Sequence, residues 1–160
     1  MQSKRIPFAT AVLAVAAALL LLLPGCSSMG GESMSGSGMD SLTFQGDTSF
    51  HGPHGGQAIQ VALVDADTGK VVAKQSGTVS KTADPAFSFT FNHVLKPDTH
   101  YDVDYWIDSN FGGGTPGHCD AKNHDHQWNV KLGEAYSDVK HVEHHRPAET
   151  SPVCDVFAKM

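Results

Sequence analysis

From residue 41 onward, apolar and polar side chains alternate with a period of two. Ile59, Val61 and Leu63 alternate with Gln60 and Ala62, and the turn-forming run DADTGK at 65–70 then precedes Val71 and Val72. This is a hairpin signature, with Gly69 placed where the turn calls for positive φ. Phe87, Phe89 and Phe91 share one parity, with Ser88 and Thr90 between them, so three aromatic rings belong to one buried face. Tyr101, Val103, Tyr105 and Ile107 form an apolar row against Asp102, Asp104, Trp106 and Asp108. That pattern predicts a strand with one face on a core and an acidic face turned outward. Trp128, Val130 and Leu132 make a further row, residues 42–44 a first strand, and residues 139–142 and 153–157 weaker last strands. No stretch makes a convincing amphipathic helix. Seven or eight short strands with frequent turns predict an all-β domain, an antiparallel Greek-key sandwich or a barrel.

The segment LKPDTHY at 95–101 resembles the Leu-x-Pro-Gly-Thr-x-Tyr tyrosine corner of Greek-key sandwiches, with Asp98 in place of glycine. The resemblance favours the sandwich and implies that the Tyr101 hydroxyl bonds nearby backbone where the chain crosses between sheets. It is compatible with fibronectin-III-like, immunoglobulin-like and transthyretin-like sandwiches, and a fold of this kind names no function.

The N-terminus changes the picture of where such a domain resides. Lys4 and Arg5 precede an apolar run, residues 11–23, that ends in Leu23-Pro-Gly-Cys26. The uninterrupted apolar part is about 13 residues, short of the roughly 20 that a membrane-spanning helix needs. A charged segment, an apolar segment and a small-residue processing point make a signal peptide. The last four residues resemble the lipobox of bacterial lipoproteins, which implies cleavage before Cys26 and its acylation. The resemblance also implies a lipid anchor in the cell envelope, with Ser27 after the lipid cysteine matching the default sorting to the outer membrane in Gram-negative bacteria. The expected organisation is a signal peptide over 1–25, a Gly/Ser/Met tether over 26–40 and a β-sandwich domain over 41–160. Met29, Met34 and Met39 recur in the tether, but nothing in so flexible a composition would preorganise a metal site there.

Without Lys4 and Arg5, nine basic side chains face seventeen acidic ones, a formal charge of minus eight. No basic patch stands out, which argues against nucleic acid as a partner. Cys26 is assigned to lipid, leaving Cys119 and Cys154. In an exported protein a disulfide between them is the default, with two thiolate metal ligands as the alternative.

Ten histidines in 160 residues are the main chemical signal. His124 and His126 share parity with Trp128, so a strand running straight through would turn both imidazoles toward the core side. Spaced this way they can share one metal, and His118 is the natural third ligand. The opposing reading places the pair before the strand, in solvent. His51 and His54 flank Gly52 and Pro53 in HGPHGG, which reads first as an exposed turn. In a Greek key, however, sequence-distant loops meet at one end, so a site built from both clusters stays open. His141, His144 and His145 lie among Glu143 and Arg146 and read as a solvated segment, while His93 and His100 read as surface residues. The loop 108–120 opens with Asp108, Asn110 and Gly112 and closes on Asp120. It matches a calcium loop poorly, because Gly112 and Cys119 fill positions that need oxygen ligands. Asp108, Asn110 and Asp120 remain ligand candidates in a Gly-rich loop long enough to form a binding edge.

Three functions are consistent with these features. The first is a membrane-anchored module binding Cu or Zn through histidines, for metal buffering or delivery. The second is a structural or interaction domain that binds an envelope protein or a glycan through the Gly-rich loop and an exposed Trp106. The third, a superoxide-dismutase-like metalloenzyme, has the least support. That family's other ligand stretches are not matched, and there is no Gly-x-Ser-x-Gly, His-Glu-x-x-His or Cys-x-x-Cys-His motif. The expectation is a protein that is not an enzyme.

Overall fold

A computed structural model describes residues 39–158. The signal peptide, the lipobox with Cys26, and Met29 and Met34 lie outside the described residues. Seven strands form the domain: β1 (Asp40–Gly46), β2 (Ala58–Asp65), β3 (Lys70–Thr78), β4 (Phe87–Leu95), β5 (His100–Ile107), β6 (His126–Glu134) and β7 (Val139–Glu143). They make two sheets, in the orders β4-β1-β7 and β3-β2-β5-β6. The predicted all-β sandwich is what the chain forms.

The alternation seen in the sequence is the reason. Phe44, Phe87 and Phe89 from one sheet and Val61, Leu63, Val103 and Tyr105 from the other are buried in one cluster, and the Phe44 and Tyr105 rings meet across the sheets at 5.4 Å. The β2–β3 turn is held by Asp65 Oδ1, which accepts from the backbone N–H groups of Asp67 and Thr68 at 3.0 Å each. Gly69 there adopts φ +68°, a region closed to most side chains. The Tyr101 hydroxyl accepts from Lys96 N–H at 2.9 Å and donates to Val94 C=O at 3.4 Å. Asp98 takes φ +56°, at the position where the sandwich corner motif carries glycine.

Three elements depart from the expectations. First, the sheets are not purely antiparallel: β7 runs parallel to β1, with Leu42 opposite Val139 and Gly46 opposite Glu143. Second, the outward row of β5 is covered rather than solvated, because β5 lies between β2 and β6 and its outer face has its own partners. Lys131 Nζ reaches Asp102 at 2.5 Å, and Asn129 Nδ2 donates to Asp104 Oδ1 at 2.7 Å. Trp106 packs edge-on against Phe157 at 6.3 Å and is only 2% exposed. Third, residues 153–157 form no strand; the segment is a short helix, α2 (Cys154–Ala158). Its geometry is set by the Val156 N–H to Val153 C=O bond at 2.9 Å, by the disulfide at Cys154 and by Phe157 packing on Trp106. A further turn of helix, α1 (His51–His54), occupies HGPHGG and follows a 3-10 turn at Thr48–Phe50.

Candidate metal centre

One end of the sandwich gathers the end of β1, the start of β2, the end of β5 and the start of β6, since Ile59 pairs with Ile107 and Ile107 with His126. The parallel pairing of β7 with β1 adds a fifth chain end, because Glu143 leaves the sheet beside Gly46. The segment after β7 therefore meets the 3-10 turn and α1 that follow β1. Asp47 N–H donates to Glu143 C=O at 3.0 Å, and His145 N–H donates to Ser49 Oγ at 2.9 Å. Phe50, fully buried, anchors the turn in the core. Gly55 N–H closes α1 on His51 C=O at 2.9 Å, and Gly56 N–H ties the next residue to Val79 C=O at 2.7 Å.

These constraints converge three imidazoles. His54 from α1, His126 from the first position of β6 and His145 from beyond β7 present ligand nitrogens that all lie within 4.8 Å of one another. His54 Nε2 stands 2.9 Å from His126 Nδ1 and 3.1 Å from His145 Nε2. His54 is fully buried, while the other two are half-buried. Its second nitrogen, Nδ1, lies 2.7 Å from Gln57 Oε1. An amide oxygen only accepts, so Nδ1 carries the proton and the Nε2 lone pair is aimed at the other two rings. Three imidazole nitrogens this close, one of them fixed in the ligating tautomer, can hold a metal ion. Substituting Gln57 by alanine is expected to weaken metal binding by about 10- to 100-fold with the fold intact, because such orienting bonds carry that much of an affinity. Competition against a chromophoric chelator measures it.

No protein-family model, curated protein or solved structure matches the chain.

The surroundings keep the imidazoles neutral. Burial pushes the His54 pKa down from its ordinary 6.5 to about 4, with His126 and His145 adding electrostatic disfavour, while the Gln57 bond acts the other way. Burial also lowers His126 and His145. A histidine depressed in the folded state leaves the unfolded chain binding more protons between the two pKa values. Stability should therefore be fully present above about pH 6.5 and fall as the pH drops toward 4. For His54 alone the loss is about 3 kcal/mol. Urea denaturation of the metal-free protein at pH 7.5 and pH 4.5 measures it; equal midpoints would contradict this account of the site.

Of the histidines singled out in the sequence, the structure brings together His54 and His126 and leaves the rest elsewhere. His51 Nε2 is bonded to Ala83 C=O at 2.7 Å. His124 precedes β6 in a turn, where its Nδ1 lies 2.7 Å from Phe111 C=O; the straight-strand reading thus holds for His126 and not for His124. His118 lines a cleft of about 380 Å³ with Trp106, Phe157 and the disulfide, outside the triad. The third ligand is His145, which its charged neighbours made look solvated. His144 does fit that description, exposed and paired with Asp47, whereas His141 is half-buried, stacked on Phe44 at 5.5 Å and bonded to buried Glu143. No local signal distinguishes His145 from them; only the parallel placement of β7 does.

Asp108, Asn110 and Asp120 are engaged within their own loop. Asp108 accepts from the Asn110 side chain and, through Oδ2, from Gly117 N–H at 2.7 Å. Asp120 accepts from Thr115 N–H. The loop is organised by Asp125, fully buried, whose oxygens accept from the N–H groups of Ser109 at 2.9 Å, Asn110 at 3.1 Å and Asp120 at 2.9 Å. Its neighbour is His126, so the carboxylate fixes the approach of the chain to the centre. The expected Cys119–Cys154 disulfide is present, with Cα atoms 5.4 Å apart.

Proposed function

We propose that this chain is a lipid-anchored envelope protein whose sandwich domain binds a transition metal, Cu or Zn, at His54, His126 and His145, for metal buffering or delivery. The observation that carries the reading is the His54 ring, buried and held by Gln57 with its free lone pair directed at two further imidazoles. Neutral nitrogen donors suit Cu and Zn better than hard cations. The signal peptide and the lipobox ending in Cys26 support anchoring outside the cytoplasm. The interaction-domain alternative loses one of its two supports, because Trp106 is buried.

The test is the metal content of the untagged full chain, purified in detergent and dialysed briefly. One equivalent of Cu or Zn per chain is the expected result. A metal-free chain whose melting temperature is unmoved by either ion would overturn the reading, since a ligand that binds only the native state must stabilise it.

A further inference from the structure

The charge of the ion is decided by the donors and by what lies around them. All three donors are neutral imidazoles. Each carboxylate on the segments that carry them is committed elsewhere. Asp125 is consumed by three backbone N–H groups. Glu143 takes His141 Nε2 at 2.9 Å and Arg146 Nη2 at 2.6 Å. Asp47 takes Ser49 and His144. No carboxylate on these segments is therefore free to donate an oxygen to the ion, and the nearest negative charge is that of Asp125, beside His126.

The walls around the ring nitrogens are largely aromatic, with a rim open to solvent at half-buried His126 and His145 and at exposed Phe111. The Trp128 ring centroid lies 5.4 Å from that of His126, 5.9 Å from His145 and 6.1 Å from His54. Phe50 lies 5.5 Å from His145, and Phe111 lies 4.9 Å from His126. The cost of moving an ion out of water scales with the square of its charge, so a dication loses about four times as much as a monocation here. Zn(II) also requires a fourth ligand to complete its tetrahedron. Cu(I), a monovalent d10 ion, is satisfied by three donors.

We infer that the His54, His126 and His145 centre is selective for Cu(I) over Zn(II) and Cu(II). The inference rests on the metal-centre reading above and narrows its ligand. Its test is anaerobic competition on the untagged full chain, with Cu(I) supplied as its bathocuproine disulfonate complex and Zn(II) as the sulfate. The expected result is one equivalent of Cu(I) bound, about a thousandfold or more tighter than Zn(II). Zn(II) loaded beforehand should be released by equimolar Cu(I), and Trp128 emission should be quenched as Cu(I) enters. Zn(II) or Cu(II) retained against equimolar Cu(I) would overturn this selectivity while leaving the metal centre standing. Failure to bind either ion, or binding undiminished in both His54→Ala and His145→Gln, would overturn both; His145 is half-buried, so its variant guards against a folding defect at His54.

Discussion

Replacing His54 by alanine is expected to lower metal affinity by more than about 100-fold, beyond what loss of its orienting partner Gln57 would cause. His54 is the triad member close to both others, at 2.9 and 3.1 Å, so its removal takes away the central one of the three donors. His126→Ala and His145→Ala should each cost nearly as much. His51→Ala, His118→Ala and His124→Ala should leave affinity within a few fold, because their rings are engaged or placed outside the triad. The same contrast should appear in thermal melts. With free metal at about 100 times Kd, the native chain gains about 2.7 kcal/mol, a rise of roughly 10 °C for a domain of this size. The His54 variant should show no rise. An equal loss across all six variants would mean that metal is gathered by scattered surface imidazoles rather than by this centre.

The second large effect belongs to the disulfide. Cys119 and Cys154 close a separation of 35 residues, and a Cys119→Ser/Cys154→Ser variant is expected to lose about 3 to 4 kcal/mol of stability in the chain-entropy model. The cross-link also braces a hydrogen-bonded seam around Gln127, which is almost fully buried. Gln127 Nε2 donates to Asp120 C=O at 2.6 Å, its Oε1 accepts from Val153 N–H at 2.9 Å, and its backbone C=O accepts from Ser151 N–H at 2.9 Å. Gln127 follows His126 directly, so loosening the seam should also weaken metal binding by a modest factor. Urea denaturation of the native chain with and without reductant, beside the double variant, tests both parts. A reductant-treated native chain as stable as the oxidised one would contradict the assignment.

Much of this architecture was legible in period-two alternation, which located the strands 59–63, 87–91, 101–107 and 128–132 and the hairpin at Gly69. Alternation reports burial on one face only. It could not show that Asp102, Asp104 and Trp106 are covered as well, because that cover comes from Asn129, Lys131 and Phe157, far along the chain. At residues 153–157 the weak alternation pointed to a strand, whereas the tie at Cys154 and the packing of Phe157 give a helical turn. The centre was half legible. His126 announced itself by sharing parity with Trp128, whereas His54 lay in a segment that reads first as an exposed turn, with a site shared between the two clusters left open. His145 was hidden because its place depends on β7 running parallel to β1, and a five-residue strand carries no mark of its direction.

That parallel strand also governs when the centre comes into being. His126 and His145 stand 72 and 91 residues from His54, so the ligand set is assembled only once β7 has docked and the two ends of the domain have met. Contacts of such sequence separation form late and slowly, because loop-closure entropy is lost before they contribute. A chain truncated before residue 143 would retain most of the core strands yet hold only two of the three ligands. An ion held there would act as a final clasp, loaded after folding rather than guiding it, since a partly folded chain has no finished place for it to bind.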